Sequence, residues 1–140
     1  MEKVDRFSLK QVIVVALLFM MMGTTIELYL LDHYEDVQQL IPLLCIGASL
    51  LVMLVLFFLK SNLVMVIFKL LMLLTALSGI YGAFLHLSAN YEFEQEMKPT
   101  AGGWDLFWES LSGALPTLAP GSMIVLALIG YSYILLLKQK

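Results

Sequence analysis

Four apolar runs, over residues 12–31, 40–59, 63–87 and 123–137, leave this chain few ways to fold. A helix needs about 20 apolar residues to cross roughly 30 Å of hydrocarbon. The first three runs reach that length, and the fourth does once residues 118–121 extend it. Hydrophobic residues fill 61% of the 140 positions and charged residues only 14%, against about half and about a quarter in a soluble domain. The excess must face lipid. The fold class predicted is an all-α integral membrane protein, a bundle of four transmembrane helices forming one membrane domain over 1–140. That length leaves no room for a separate soluble catalytic domain.

Start and stop signals place the elements. Ser8 and Gln11 have the spacing of a capping box, so the first helix is predicted over 9–32. Its apolar part is too long for a signal peptide and no small-x-small site closes it, so it is read as a retained helix. The second helix is predicted over 40–59, with Pro42 in its first turn, where a missing N–H is harmless. Ser61 and Asn62 can cap a third helix over 63–88. Lys69, about 10 Å into that helix, can return its stem to the nearer interface. The fourth helix is predicted over 119–137, before Lys138 and Lys140. Cys45 is the only thiol, so no internal disulfide or paired-cysteine redox motif is possible, and its apolar setting marks it as packing.

Charge is distributed unevenly between the two ends of these helices. Lys3, Arg6, Lys10, Lys60, Lys69, Lys138 and Lys140 fall on one side, and Lys98 alone on the other. The positive-inside rule therefore puts both termini in the cytoplasm, with a bacterial inner or plasma membrane as the expected location. The opposite side carries nine carboxylates, from Glu27 through Asp32, Glu35 and Asp36 to Glu92, Glu94, Glu96, Asp105 and Glu109. This acidity exceeds anything topology demands, because acidic residues contribute little to orientation.

The connection over 88–120 has room for structure outside the bilayer. Trp104, Phe107, Trp108, Leu111 and Leu115 recur at helical spacing, with Asp105, Glu109, Ser110 and Ser112 on the other side. This predicts an interfacial amphipathic helix over 103–113, its tryptophans at headgroup depth. Gly113, Pro116, Pro120 and Gly121 predict a kinked, re-entrant lead into the last helix. Such a segment can cap the bundle or act as a lid over a site.

Candidate chemistry centres on Glu27. An acidic residue inside a spanning segment is costly and normally faces the bundle interior or a polar cavity. Along the third helix Thr75, Ser78, Gly79, Gly82, His86 and Asn90 recur every three or four residues, a small, polar seam suited to close packing. Packing that seam against Gly23 and Glu27 of the first helix would bring Glu27 level with His86. Two readings of the pair compete. In one they hydrogen-bond and fix helix register. In the other they are metal ligands with His33 and one of Asp32, Asp36, Glu92 or Glu94, a nitrogen and oxygen set suited to zinc, copper, iron or manganese. If helical geometry persisted, His33 would lie about 240° around the axis from Glu27, so it joins the same pocket only if the helix unwinds near Asp32. The alternating Glu92, Glu94 and Glu96 would share one face of a strand and spread around a helix.

A carboxylate in the first of four short helices resembles the small multidrug transporters, in which such a glutamate binds cations and protons. The long third connection and the place of Glu27 near the outer end depart from that pattern, and no residue roles are carried over. Paired intramembrane histidines for a haem and a cysteine pair for a quinone-linked thiol enzyme are both missing. No basic patch beyond the topological one supports nucleic-acid binding. The expectation is an accessory or binding subunit of the membrane with an outward Glu/His/Asp site able to hold a divalent metal. Its partners would be the lipid bilayer, other membrane proteins or further copies of the chain. The alternatives are a metal-dependent membrane enzyme and a proton-coupled small-molecule carrier using Glu27.

Overall fold

Residues 8–139 are described in a computed structural model; Lys3, Arg6 and Lys140 of the charge pattern lie outside the described residues. The described chain is helical, with α1 (Leu9–Leu30), α2 (Val37–Phe58), α3 (Asn62–Met97), α4 (Gly103–Leu111) and α5 (Gly121–Lys138). All but α4 are long and apolar enough to cross a membrane. The predicted capping box begins α1: Gln11 N–H donates to Ser8 Oγ and Ser8 N–H to Gln11 Oε1.

Two element bounds differ from expectation in ways that matter for the site. Helix α2 starts at Val37, not residue 40, because the Gln39 side chain turns back to accept from the backbone N–H groups of Glu35 and Asp36. Pro42 is thus inside the helix. It removes the hydrogen bond that position 42 would donate to the Gln38 carbonyl. Helix α3 does not end near residue 88 but continues to Met97, 36 residues in all. No glycine or proline interrupts 83–98, so helix propagation carries on where hydropathy stops. At 1.5 Å per residue α3 is about 54 Å long, well beyond the roughly 30 Å of hydrocarbon. Pro99 ends it, since the residue before a proline is driven out of the helical region, and Lys98 leaves that region with φ −132° and ψ 66°. Glu92, Glu94 and Glu96 therefore lie on a helix.

Contacts join α1 to α2, α2 to α3, α3 to α5 and α5 back to α1, a closed ring of the four long helices, with α4 resting on α3. Leu17 and Met21 of α1, Ile46, Met53 and Leu56 of α2, Phe68 and Met72 of α3, and Leu126, Tyr133 and Ile134 of α5 form the core. Phe68 meets Tyr133 edge to face, centroids 6.5 Å apart. Helix α5 receives the Met72 side chain of α3 at Gly130, where an added Cβ would collide with Met72 Sδ.

The small-residue seam of α3 does not pack against α1 as expected. Gly79 lies against the Pro120 carbonyl and Met123, and Gly82 against the Pro120 ring, whereas a methyl group added at Gly23 of α1 would meet nothing within 4 Å. The seam is filled by the lead into α5, which holds α1 and α3 apart at this end. That separation opens a cavity.

Candidate functional site

The cavity, of about 780 Å³, lies between the C-terminal part of α1, the start of α2, the C-terminal half of α3 and the turn over 114–120. Each wall owes its shape to local sequence. Helix α1 closes in a Schellman motif: Asp32 N–H donates to the Tyr29 carbonyl and His33 N–H to the Leu28 carbonyl. Asp32 occupies the left-handed position of that motif, with φ of 52°. Glycine is the usual residue there, and aspartate is among the few others that tolerate it. The reversal swings His33 away from the course of α1 and into the cavity wall. The unwinding required for His33 to join Glu27 is thus present.

His33 meets His86 of α3 there, ring centroids 6.3 Å apart and planes at 77°. His86 Nδ1 lies 3.1 Å from the Pro116 carbonyl oxygen. A carbonyl only accepts, so Nδ1 carries the proton, and in the neutral ring Nε2 is left with its lone pair. Partial burial, and after it the neighbouring His86, hold the His33 pKa below the usual imidazole value, favouring its neutral form. Each ring, when neutral, has one acceptor nitrogen.

Glu27, Asp36 and Glu92 also line the cavity, which no lysine or arginine among the described residues lines. Its surroundings favour a cation. Glu27 and His86 share the cavity, but His86 bonds to Pro116 instead of to Glu27. Two sequence candidates lie elsewhere. Asp32 accepts a hydrogen bond from the Tyr34 hydroxyl at 2.9 Å, which raises the tyrosine pKa. Glu94 joins the Lys98 ammonium at 3.4 Å. Five of the seven candidate ligands thus converge on one chamber, yet among the described residues no three His, Cys, Asp or Glu side chains are close enough together to enclose a metal ion.

The roof depends on Asn90, a residue assigned only to the packing seam by its spacing. Its buried amide donates to the Ser110 and Leu115 carbonyls and to Thr117 Oγ1, while its Oδ1 accepts from Leu115 N–H. Gly113 makes this possible, since a Cβ there would collide with the Asn90 amide. The cavity is roofed by this clamped turn and not by α4, which packs Leu106 and Ser110 on α3 and leaves Trp104 and Trp108 exposed. Lys98, paired with both Glu94 and Glu109, fastens α4 to the end of α3, and the two carboxylates raise its pKa. Gly113, Pro116 and Pro120 marked the turn in the sequence. Nothing in the sequence marked Asn90 as its anchor. No protein-family model matches this chain, and neither a curated protein nor a solved structure is detectably similar to it.

Proposed function

We propose that this is a four-helix membrane bundle with both termini cytoplasmic, a binding or accessory subunit whose extracytoplasmic cavity takes a cationic ligand. The reading commits to a divalent transition metal held by His33 and His86, with Glu27, Asp36 or Glu92 adding oxygen. One observation carries it: two imidazoles from different elements converge in an acidic cavity, and the carbonyl bond at His86 Nδ1 is the kind of outer contact that orients a ligating imidazole. Cation binding would draw the two rings and a carboxylate closer together. The α4 aromatics would sit at headgroup depth.

Zinc titration of the purified full chain in detergent, followed by calorimetry, tests this. One equivalent should bind, and His86→Ala or His33→Ala should each weaken it by roughly tenfold or more. Zinc binding that ignores both substitutions, or no binding, removes the metal reading.

A second reading, a metal-dependent enzyme or a carrier, is favoured by one further fact. About 780 Å³ far exceeds a bare ion and falls within the range of small-molecule sites. For the carrier, substrate-linked proton release that survives Glu27→Gln would eliminate Glu27 as the coupling group.

A further inference from the structure

A second, smaller space lies where α4 crosses the C-terminal part of α3. Of about 270 Å³, it is lined by Leu87, Ser88, Tyr91 and Glu92 of α3 and by Phe107 of α4. The spacing of the four α3 residues puts them on one face of the helix. Tyr91 reaches across to α4, where its hydroxyl would lie 3.5 Å from a Cβ added at Gly103. Phe107 is held in turn by Trp104, stacked on it with centroids 5.6 Å apart, and by Trp108, edge to face at 5.8 Å. The groove therefore has two aromatic walls, one from each helix.

Glu92 is the charged group of this groove. Lys98, the lysine at this end of α3, is taken up by Glu94 and Glu109, so Glu92 is exposed without an ion-pair partner among the described residues. A carboxylate beside aromatic faces attracts a cation, because formal charge and ring quadrupole act in the same sense. Ser88, Tyr91 and Glu92 add oxygen acceptors, which a primary ammonium with its three N–H donors can use and a quaternary ammonium cannot. Depth narrows the source. Leu87 lies about 36 Å along α3 from Leu63, past roughly 30 Å of hydrocarbon and within the headgroup layer. Exposed Trp104 and Trp108, beside the groove, belong at the same depth.

We infer that this groove binds the primary ammonium of a phospholipid headgroup of the aminoethyl phosphate class. In such a lipid the ammonium is the end of the headgroup farthest from the acyl chains, so it reaches Glu92 while the chains stay at hydrocarbon depth. Exposed Phe84, one turn before Ser88 on the same face, continues an apolar surface toward those chains. Ser88 and Glu92 also line the large cavity, but Tyr91 and Phe107 do not, so the groove has walls of its own and is independent of whatever ligand the cavity takes.

The full chain, exchanged into nanodiscs holding phosphatidylethanolamine, phosphatidylcholine and phosphatidylglycerol in equal parts, is released and its retained lipids counted by native mass spectrometry. The wild type should retain phosphatidylethanolamine over both others. Glu92→Gln should lower that preference roughly threefold or more, and the double substitution Y91L/F107L, which keeps the walls apolar but removes both rings, by a similar factor. Glu96→Gln, exposed on the same stretch of α3 but outside the groove, should leave it unchanged. Equal loss in Glu96→Gln would reduce the effect to general surface charge and overturn the site, as would a preference that survives either groove variant. Phosphatidylcholine retained equally well would overturn the primary-ammonium assignment. Binding of free ethanolamine that depends on Glu92 and the two rings, without any lipid preference, would assign the groove to free amines and overturn the headgroup assignment. Should Y91L/F107L fail to remain monodisperse and helical, Phe107→Leu alone gives the same comparison with a roughly twofold effect.

Discussion

The two halves of this molecule are held together by different physics. Around Phe68, Met72, Leu126 and Tyr133, four helices meet through apolar side chains and a glycine, with many small contacts sharing the load. Around the cavity, the irregular segment over 112–120 depends largely on one side chain, Asn90, with Gly113 and the glycines of α3 shaped to receive it. The first arrangement loses little when one contact goes. The second concentrates its stability where the chain must bend around an open space, and that concentration is what keeps a polar chamber from collapsing.

Removing the anchor should therefore have the largest effect. Asn90→Ala leaves the Leu115 carbonyl and N–H without their partner and takes one donor from the Ser110 carbonyl, which Thr117 Oγ1 still serves; at about 1–3 kcal/mol for each Leu115 group not rescued by water, the loss is about 2–6 kcal/mol. Hydrogen exchange should show the loss locally: amides over 112–120 lose protection while those of α2 and α5 keep theirs. Uniform loss across all helices would show that the two regions are a single cooperative unit.

The opposite half should behave in the converse way. Phe68→Ala opens a void of roughly 100 Å³, about 2 kcal/mol at ~24 cal/mol per Å³. The transfer contribution that a soluble core would add is small here, because lipid is as apolar as the interior. Unfolding should become easier throughout, with no preference for the turn. Exchange confined to 112–120 would contradict the division.

A smaller effect concerns pH. Because the folded-state pKa of His33 lies below its unfolded value, the neutral ring contributes stability that is present above the unfolded pKa near 6.5 and is lost as pH falls through the folded value. Thermal stability should decline from pH 7 toward pH 5, and His33→Gln should flatten that decline. An unchanged slope in the variant would place the titrating group elsewhere.

Much of the architecture was legible in the sequence because hydropathy alone sets it. The four apolar runs and the capping box of Ser8 and Gln11 appear where expected. What escaped lies where hydropathy stops being informative. The C-terminal third of α3 is polar enough to look like loop, yet nothing in 83–98 breaks a helix. The seam of α3 announced close packing without naming its partner, and Pro120 and Met123 of the α5 lead-in took the place expected of α1. The site divides in the same way. Glu27 and His86 stood out as polar groups in apolar runs. The arrival of His33 beside His86 depends on Asp32 adopting a left-handed conformation that glycine usually signals, and no glycine is there.

The central claim is that His33 and His86 face one ligand together. Copper(II) added at one equivalent to the full chain, with electron paramagnetic resonance recorded near neutral pH, reports the nitrogen ligands directly. Hyperfine structure from two imidazole nitrogens, reduced to one in His33→Ala and likewise in His86→Ala, is the predicted result. A spectrum without imidazole nitrogen, or one that neither substitution alters, would contradict it.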